Sequence, residues 1–366
     1  MKKLVTVILF LVSFPDLLMA THNRAGEITY SQISQFYYQA TITTYTKTSS
    51  PADRPELTLY WGDGDSTVLA RASIEDDFGG PGSDIRKNTY IGFHTYPGPS
   101  VYKMYFEDPN RNGGVINIPN SIDIPFYVET QLVISAFLGF NNSPVLLQPP
   151  IDDGTIGQPF IHNANAFDPD GDSLSYQLIF CKGSEGLPIP GYSYPIASNS
   201  FTLDAYTGDL VWDSPTSCGE FNVAFLIKEW RSGVLIGFVE RDMQITIYCN
   251  NPNNNVPPLI SAISDTCVTA GDFLSFDVTA TDKNFNLISY MGFDGYAGID
   301  TAWTHPGWII SYNSPTSFIN TIGYYGLSDP AYRFSNDNDY IIAPAAPQRM
   351  DSVSLLYEEL VRVFLC

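Results

Sequence analysis

Residues 168–176 read Asp168-Pro169-Asp170-Gly171-Asp172-Ser173-Leu174-Ser175-Tyr176, and a looser copy follows at residues 282–290, Asp282-Lys283-Asn284-Phe285-Asn286-Leu287-Ile288-Ser289-Tyr290. Anchored on Gly157 and Gly271, the two copies align without a gap. Phe160 falls on Leu274 and Ala166 on Ala280. Asp168, Asp170 and Asp172 fall on Asp282, Asn284 and Asn286, and Tyr176 falls on Tyr290. The period from Gly157 to Gly271 is about 114 residues, the size of one β-sandwich and too long for a solenoid unit.

The sequence around the repeat points to the same class. Apolar and polar residues alternate in residues 39–45 (QATITTY), 101–106 (VYKMYF) and 243–248 (MQITIY), and Gly, Pro, Asn and Asp punctuate the chain at short intervals. This is the pattern of short strands joined by tight turns. The predicted fold is all-β, in tandem immunoglobulin-like β-sandwich domains. Asn141-Asn142-Ser143-Pro144 closes a first module at residues 21–142, and a second runs over 143–250. The Asn/Pro-rich residues 251–258 read as a linker by composition, and 259–345 read as a third, incomplete module. Residues 346–366 form an atypical tail. Within it, residues 350–366 (MDSVSLLYEELVRVFLC) drop the β style for a leucine-rich, helix-like run. The expectation there is a truncated or frame-shifted end, with an amphipathic helix as the alternative.

Residues 1–20 have the form of a signal peptide. Lys2 and Lys3 precede the apolar residues 4–12 (LVTVILFLV), and Ala20 is a small residue before a cleavage point. That run is about half of what a bilayer span needs, and no second one follows, so the mature chain is expected to be exported with no membrane span. The formal net charge of −21 repels phosphate backbones and argues against a nucleic-acid partner. The five cysteines (Cys181, Cys218, Cys249, Cys267 and Cys366) contain no C-x-x-C pair, which argues against a zinc or redox centre. Connectivity cannot be read from their spacing. The preferred pair is Cys181–Cys218, both in one module, with Cys366 the natural unpaired thiol.

Asp168, Asp170 and Asp172 place oxygen ligands on alternate residues of a tight turn, suited to Ca2+, which takes six to eight oxygens. The copy at Asp282, Asn284 and Asn286 keeps the oxygens but loses two charges, so it should bind more weakly. The loop is no EF-hand, because Ile179 stands where the bidentate Glu would be needed. The alternative is an acidic β-turn in which Asp and Gly serve turn geometry alone.

A second signature is Trp61-Gly62-Asp63-Gly64-Asp65-Ser66, followed by His94-x-Tyr96, Gly98 and Tyr102. It resembles the PKD (polycystic kidney disease) domain, with an insertion at residues 72–88, and the resemblance implies structural roles for Trp61, Asp63, His94 and Tyr96. The Asp168 module, with Thr207-Gly208-Asp209-Leu210-Val211-Trp212 after it, resembles cadherin-like and dystroglycan-type repeats. There the three aspartates match positions that bind inter-domain calcium. The full order also includes His22-x-x-x-Gly26-Glu27-Ile28-Thr29-Tyr30, Asp108-Pro109-Asn110-Arg111-Asn112, residues 116–126 (INIPNSIDIPF) and Arg241-Asp242-Met243-Gln244-Ile245. Over residues 21 to about 282 it resembles the adhesin-like, gliding-motility-associated surface proteins of Bacteroidota, which leave through the type IX secretion system. Those proteins normally continue to a C-terminal sorting domain.

No G-x-S-x-G, H-E-x-x-H or phosphate-binding glycine loop is present, and His22, His94, His162 and His305 are scattered. The expected function is therefore non-catalytic. The protein should be an adhesion or scaffold protein of the cell surface, stiffened by calcium and facing an extracellular protein or glycan partner. The alternative is a carbohydrate-binding accessory protein of a secreted polysaccharide-degrading system.

Overall fold

The computed structural model describes residues 22–50, 53–79 and 83–249. It also describes the backbone of eight strands between Leu259 and Leu365. The expected signal peptide at residues 1–20, the expected linker at 251–258 and the Asp282/Asn284/Asn286 copy lie outside the described residues, as does Cys366.

The chain is all-β, with its strands in tandem sandwich units of the immunoglobulin-like class. The first unit comprises β1 (Asn23–Ser34), β2 (Tyr37–Lys47), β3 (Glu56–Tyr60), β4 (Ser66–Glu75), β5 (Ile85–Thr95), β6 (Ser100–Asp108) and β7 (Phe126–Ile134). The alternation read in residues 39–45 is realised in β2, whose residues 38, 40, 42 and 44 are buried while the intervening ones are half-exposed. Inward-facing residues from all seven strands meet in one core around Trp61, Tyr38, Met104, Phe106 and Phe126. Trp61 is fully buried, and the Tyr96 hydroxyl donates to its carbonyl at 3.1 Å.

The second unit is built from β8 (Val145–Leu146), β9 (Ile151–Thr155), β10 (Phe160–His162), β11 (Ala166–Phe167), β12 (Ser173–Ile179), β13 (Ala197–Leu203), β14 (Leu210–Pro215), β15 (Gly219–Arg231) and β16 (Val234–Tyr248). One layer runs β9-β16-β15-β12 and the other β10-β14-β13. Trp212, Phe221, Phe225 and Ile245 fill the space between them.

The two units share a strand. One edge of β16 pairs with β15 along its length. The other pairs in turn with β7 through residues 237–239, with β1 through 241–242, and with β9 through 244–248. Hydrogen bonding in the first unit thus runs β1-β2-β5-β4-β3-β6-β7-β16 and returns to β1. The ring closes only because the second unit contributes β16. This explains why residues 236–245 are buried without alternation, since β16 is covered on both faces like a central strand.

A buried ionic layer lies where the units meet. Arg111 pairs with Asp242 at 2.6 Å, both fully buried, and Arg241 pairs with Glu27 at 2.7 Å. Lys182 reaches Glu240 at 2.7 Å and Glu129 at 2.9 Å. Asn222 donates to Asp242 at 2.9 Å and to the Arg24 carbonyl at 2.8 Å. The Gly26-Glu27, Asp108-to-Asn112 and Arg241-Asp242 motifs, far apart in sequence, here occupy one site.

One expectation is corrected, and so is the alternative of a helix in the tail. The disulfide joins Cys218 to Cys249, not Cys181 to Cys218. Gly219 pairs with Ile247 at the open end of the β15–β16 hairpin, and this register brings the flanking cysteines together. Cys181 is instead a buried free thiol among Val115, Ile118, Ile189 and Tyr192. Within the tail, Val361–Leu365 is a strand rather than part of a helix. It pairs in parallel with Thr266–Val268 and antiparallel with Asp339–Pro344, as β-branched and aromatic residues favour. Residues 350–360 of that run lie outside the described residues. Among the described residues no helix is long and apolar enough to cross a membrane.

Candidate cation site at the unit junction

The loop between β11 and β12 holds the three aspartates, and the turn is set by Asp168. Its Oδ1 accepts from the backbone N–H groups of Asp170 at 2.8 Å and Asp172 at 3.2 Å, and its carbonyl accepts from Gly171 at 3.2 Å. Gly171 takes a φ of 82°, a left-handed conformation that glycine adopts without strain. The turn sends alternate carboxylates in different directions.

Asp168 and Asp172 point together, and Glu229 of β15 completes the cluster. One carboxylate oxygen from each lies within 4.8 Å of the others. Asp170 turns away toward the end of the first unit, where it accepts from the Asn142 backbone N–H at 2.6 Å and the Asn142 side chain at 3.0 Å. The structure thus brings two of the three predicted aspartates together and adds a glutamate that belongs to no motif. The signal for Glu229 is its register. Phe221, Val223, Phe225 and Ile227 face the core on alternate residues of β15, and Glu229 is the next position in that row.

Glu229 is fully buried, and neither of its carboxylate oxygens has a hydrogen-bond partner; Asp168 Oδ2 is also buried without one. The glutamate lies opposite Gly237 of β16. A Cβ at Gly237 would fall 2.8 Å from the Tyr30 hydroxyl, 2.9 Å from the Gln131 carbonyl and 3.0 Å from Glu229 Oε2, so only glycine fits there. Burial, reinforced by the neighbouring Asp168, pushes the Glu229 carboxyl up to about 9, tempered by the nearby Asn141 amide, whose own hydrogen bond goes to the Tyr30 hydroxyl. Burial likewise pushes Asp168 up to about 7, against the backbone hydrogen bonds from Asp172 and Asp170. In both, burial is the main cause and the neighbouring carboxylates add to it.

Among the described residues the one cation beside the cluster is Arg231, at the end of β15. Its Nε donates to Asp172 Oδ1 at 2.8 Å and Oδ2 at 3.1 Å, and its Nη2 also contacts Oδ2. On its far side Nη1 donates to the carbonyls of Leu138 and of Phe140, the latter at 2.8 Å, and Nη2 donates to Asn141 Oδ1 at 2.8 Å. Arg231 therefore ties the Asp172 turn of the second unit to residues 138–141, which leave the first. Asn141 also donates to the Tyr30 hydroxyl at 3.3 Å, and Gln32 accepts from the Asn141 N–H at 2.7 Å.

The donor set fits a hard divalent cation. Three buried carboxylate oxygens without partners, and Asp172 beside them, supply charge and oxygen ligands, and a glutamate can bind bidentately, as Ca2+ accepts. The Asp63, Asp65 and His94 cluster in the first unit differs. There Asp63 Oδ2 lies 2.6 Å from His94 Nε2, and the His94 ring stacks on Trp61 at 4.8 Å. Burial opposes the Asp63 charge, but hydrogen bonds from His94 and from the Asp65 N–H outweigh it and hold its carboxyl below the usual range. That cluster braces the Trp61 turn.

No family model matches the sequence, and no curated protein matches it. Several solved structures of extended multi-domain proteins are weakly similar. A chimeric titin Z1Z2 tandem is 10% identical over 61% of this chain and 99% of its own, with a TM-score of 0.23. The human desmocollin-1 ectodomain is 12% identical over 90% of this chain and 65% of its own, at 0.20. The endo-fucoidan hydrolase MfFcnA4 of glycoside hydrolase family 107 is 14% identical over 92% of this chain and 43% of its own, at 0.22. Adhesion ectodomains and a hydrolase stand at the same low similarity, which transfers neither a function nor a residue role to this chain.

Proposed function

We propose that the protein is an exported, non-catalytic adhesion or scaffold protein of the cell surface in which calcium stiffens the Asp168–Asp172 turn that faces the neighbouring sandwich unit. The observation that carries this reading is the group of buried, partnerless carboxylate oxygens of Asp168 and Glu229 at that turn. A cation there would hold β15 to the β11–β12 turn, and Asp168, Asp172 and Glu229 would be its ligands. The shared strand β16 supports the scaffold part of the reading, because two units joined through one sheet cannot swing freely as beads on a linker do. The signal-like N-terminus and the high negative charge support export, to meet an extracellular protein or glycan surface. The motif order supports a gliding-motility-associated surface protein.

Calorimetric titration of the chelator-treated full chain with Ca2+, alongside thermal unfolding, tests the reading. Binding near one equivalent with a rise in Tm, both lost in Asp168→Asn and Glu229→Gln, is the expected result. Absence of binding in a folded wild-type chain would overturn the calcium assignment.

A further inference from the structure

The geometry around Asp172 has a consequence for how the site is regulated, which rests on the cation reading above. Both oxygens of Asp172 are already held by Arg231, so a cation joining Asp168 and Glu229 must share or take that carboxylate. A guanidinium and a divalent cation at one carboxylate also repel each other. The same guanidinium carries the hydrogen bonds to Leu138, Phe140 and Asn141.

We propose that Arg231 is a latch opened by the cation: guanidinium and cation compete for Asp172, so filling the site loosens residues 138–141, and the latch in turn sets the site's affinity. Linkage makes the two effects reciprocal, since whatever factor Arg231 takes from cation affinity, the cation takes from the Arg231–loop contact. The loop held in this way carries Phe137, 98% exposed, and Phe140, 58% exposed. Calcium would stiffen the Asp172 turn on one side of Arg231 while controlling how firmly two exposed aromatic rings are presented on the other. The uncharged run from Thr130 to Ile151 offers the loop no second ionic anchor of its own. Gln32 and Tyr30 still hold Asn141 and Asp170 still holds Asn142, which concentrates the release at residues 138–140.

The test combines Ca2+ affinity with amide hydrogen exchange in the full chain. Wild-type protein should exchange faster at residues 138–141 when Ca2+ is added, and slower at residues 168–172. Arg231→Met should bind Ca2+ about tenfold more tightly, a typical coupling, and should exchange quickly at 138–141 with or without the ion. Arg231→Lys, which keeps the charge but not the fork, should fall between them and guards against misfolding of the methionine variant. Ca2+ binding with unchanged exchange at 138–141 and unchanged affinity in both variants would overturn the latch and leave the cation site standing. No Ca2+ binding in any of the three folded proteins would overturn both.

Discussion

Two groups of charges occupy the junction between the sandwich units, and they are balanced in opposite ways. In the layer around β16, the carboxylates of Asp242, Glu27, Glu240, Glu129 and Glu220 are matched by Arg111, Arg241, Lys182, Lys103 and Arg24, one cation for each. At the β11–β12 turn, Asp168, Asp170, Asp172 and Glu229 share Arg231 alone. The first group has a cation for each carboxylate and acts as a structural lock, with Glu240 Oε1 and Arg111 Nε and Nη1 left buried without a hydrogen bond. The second is left short of positive charge by the protein itself. The two groups thus differ in their local count of cations and in depth, since Asp242 and Glu240 are fully buried while Asp168 and Asp172 are half-buried and Asp170 is exposed.

The comparison breaks most visibly if the lock is opened. Arg111→Leu or Asp242→Asn leaves one buried charge or donor without its partner and should cost about 3–5 kcal/mol in chemical denaturation, since both side chains are fully buried. Loss of less than 1 kcal/mol would mean that water reaches the layer. Removing the Cys218–Cys249 disulfide by paired Ser substitution should cost about 2–4 kcal/mol, because it closes the end of the hairpin that both units use. The same unfolding curve should report the loss from probes in either unit.

The cation-poor group should respond differently. Burial keeps the Glu229 carboxyl protonated at neutral pH in chelator, so Glu229→Gln exchanges one neutral polar group for another and should change stability by less than about 1 kcal/mol. A large loss in chelator would show that Glu229 is satisfied within the protein and belongs with the lock. A pH series reads the β16 layer from another side. Burial, opposed by Lys182, raises Glu240 to about 8, above the ordinary carboxylate range near 4.3. The folded state then keeps a proton that the unfolded state releases, so stability falls as pH rises between roughly 4 and 8 and levels off above. Glu240→Gln should flatten this part of the slope, as read from denaturation midpoints at pH 5 and pH 9.

Much of this architecture is legible in the sequence, and the illegible part has a physical pattern. Alternation fixes β2 and β6 because each has one face on a core and one toward solvent. The Trp61-to-Asp65 turn is readable because its contacts are local or follow a short motif. The second half of β16 also alternates, but nothing in the chain announces that its first half completes the other unit, since that pairing joins residues more than a hundred positions apart. Glu27, Arg111 and Asp242 are visible as motif residues, yet their common site appears only once β1 and β16 are adjacent. Glu229 is hidden for the same reason. Its partners come from a turn some sixty residues earlier, and only its place in the apolar row of β15 sets it apart. The cysteine pairing follows from hairpin register, which cysteine spacing does not encode.

The shared strand also orders events in time. As the chain emerges from its N-terminus, β1 and β7 can be reached by their hairpin neighbours early, but the edges that β16 covers stay open until residues 234–248 have followed. The first unit is therefore completed from the far end, and its closure waits on a contact of high sequence separation, the kind that folds slowly. Until then two strand edges stand unpaired, the state most prone to joining another chain. A protein crossing a membrane as an extended chain gains from such a delay, because the piece that leaves first cannot lock before the rest has arrived.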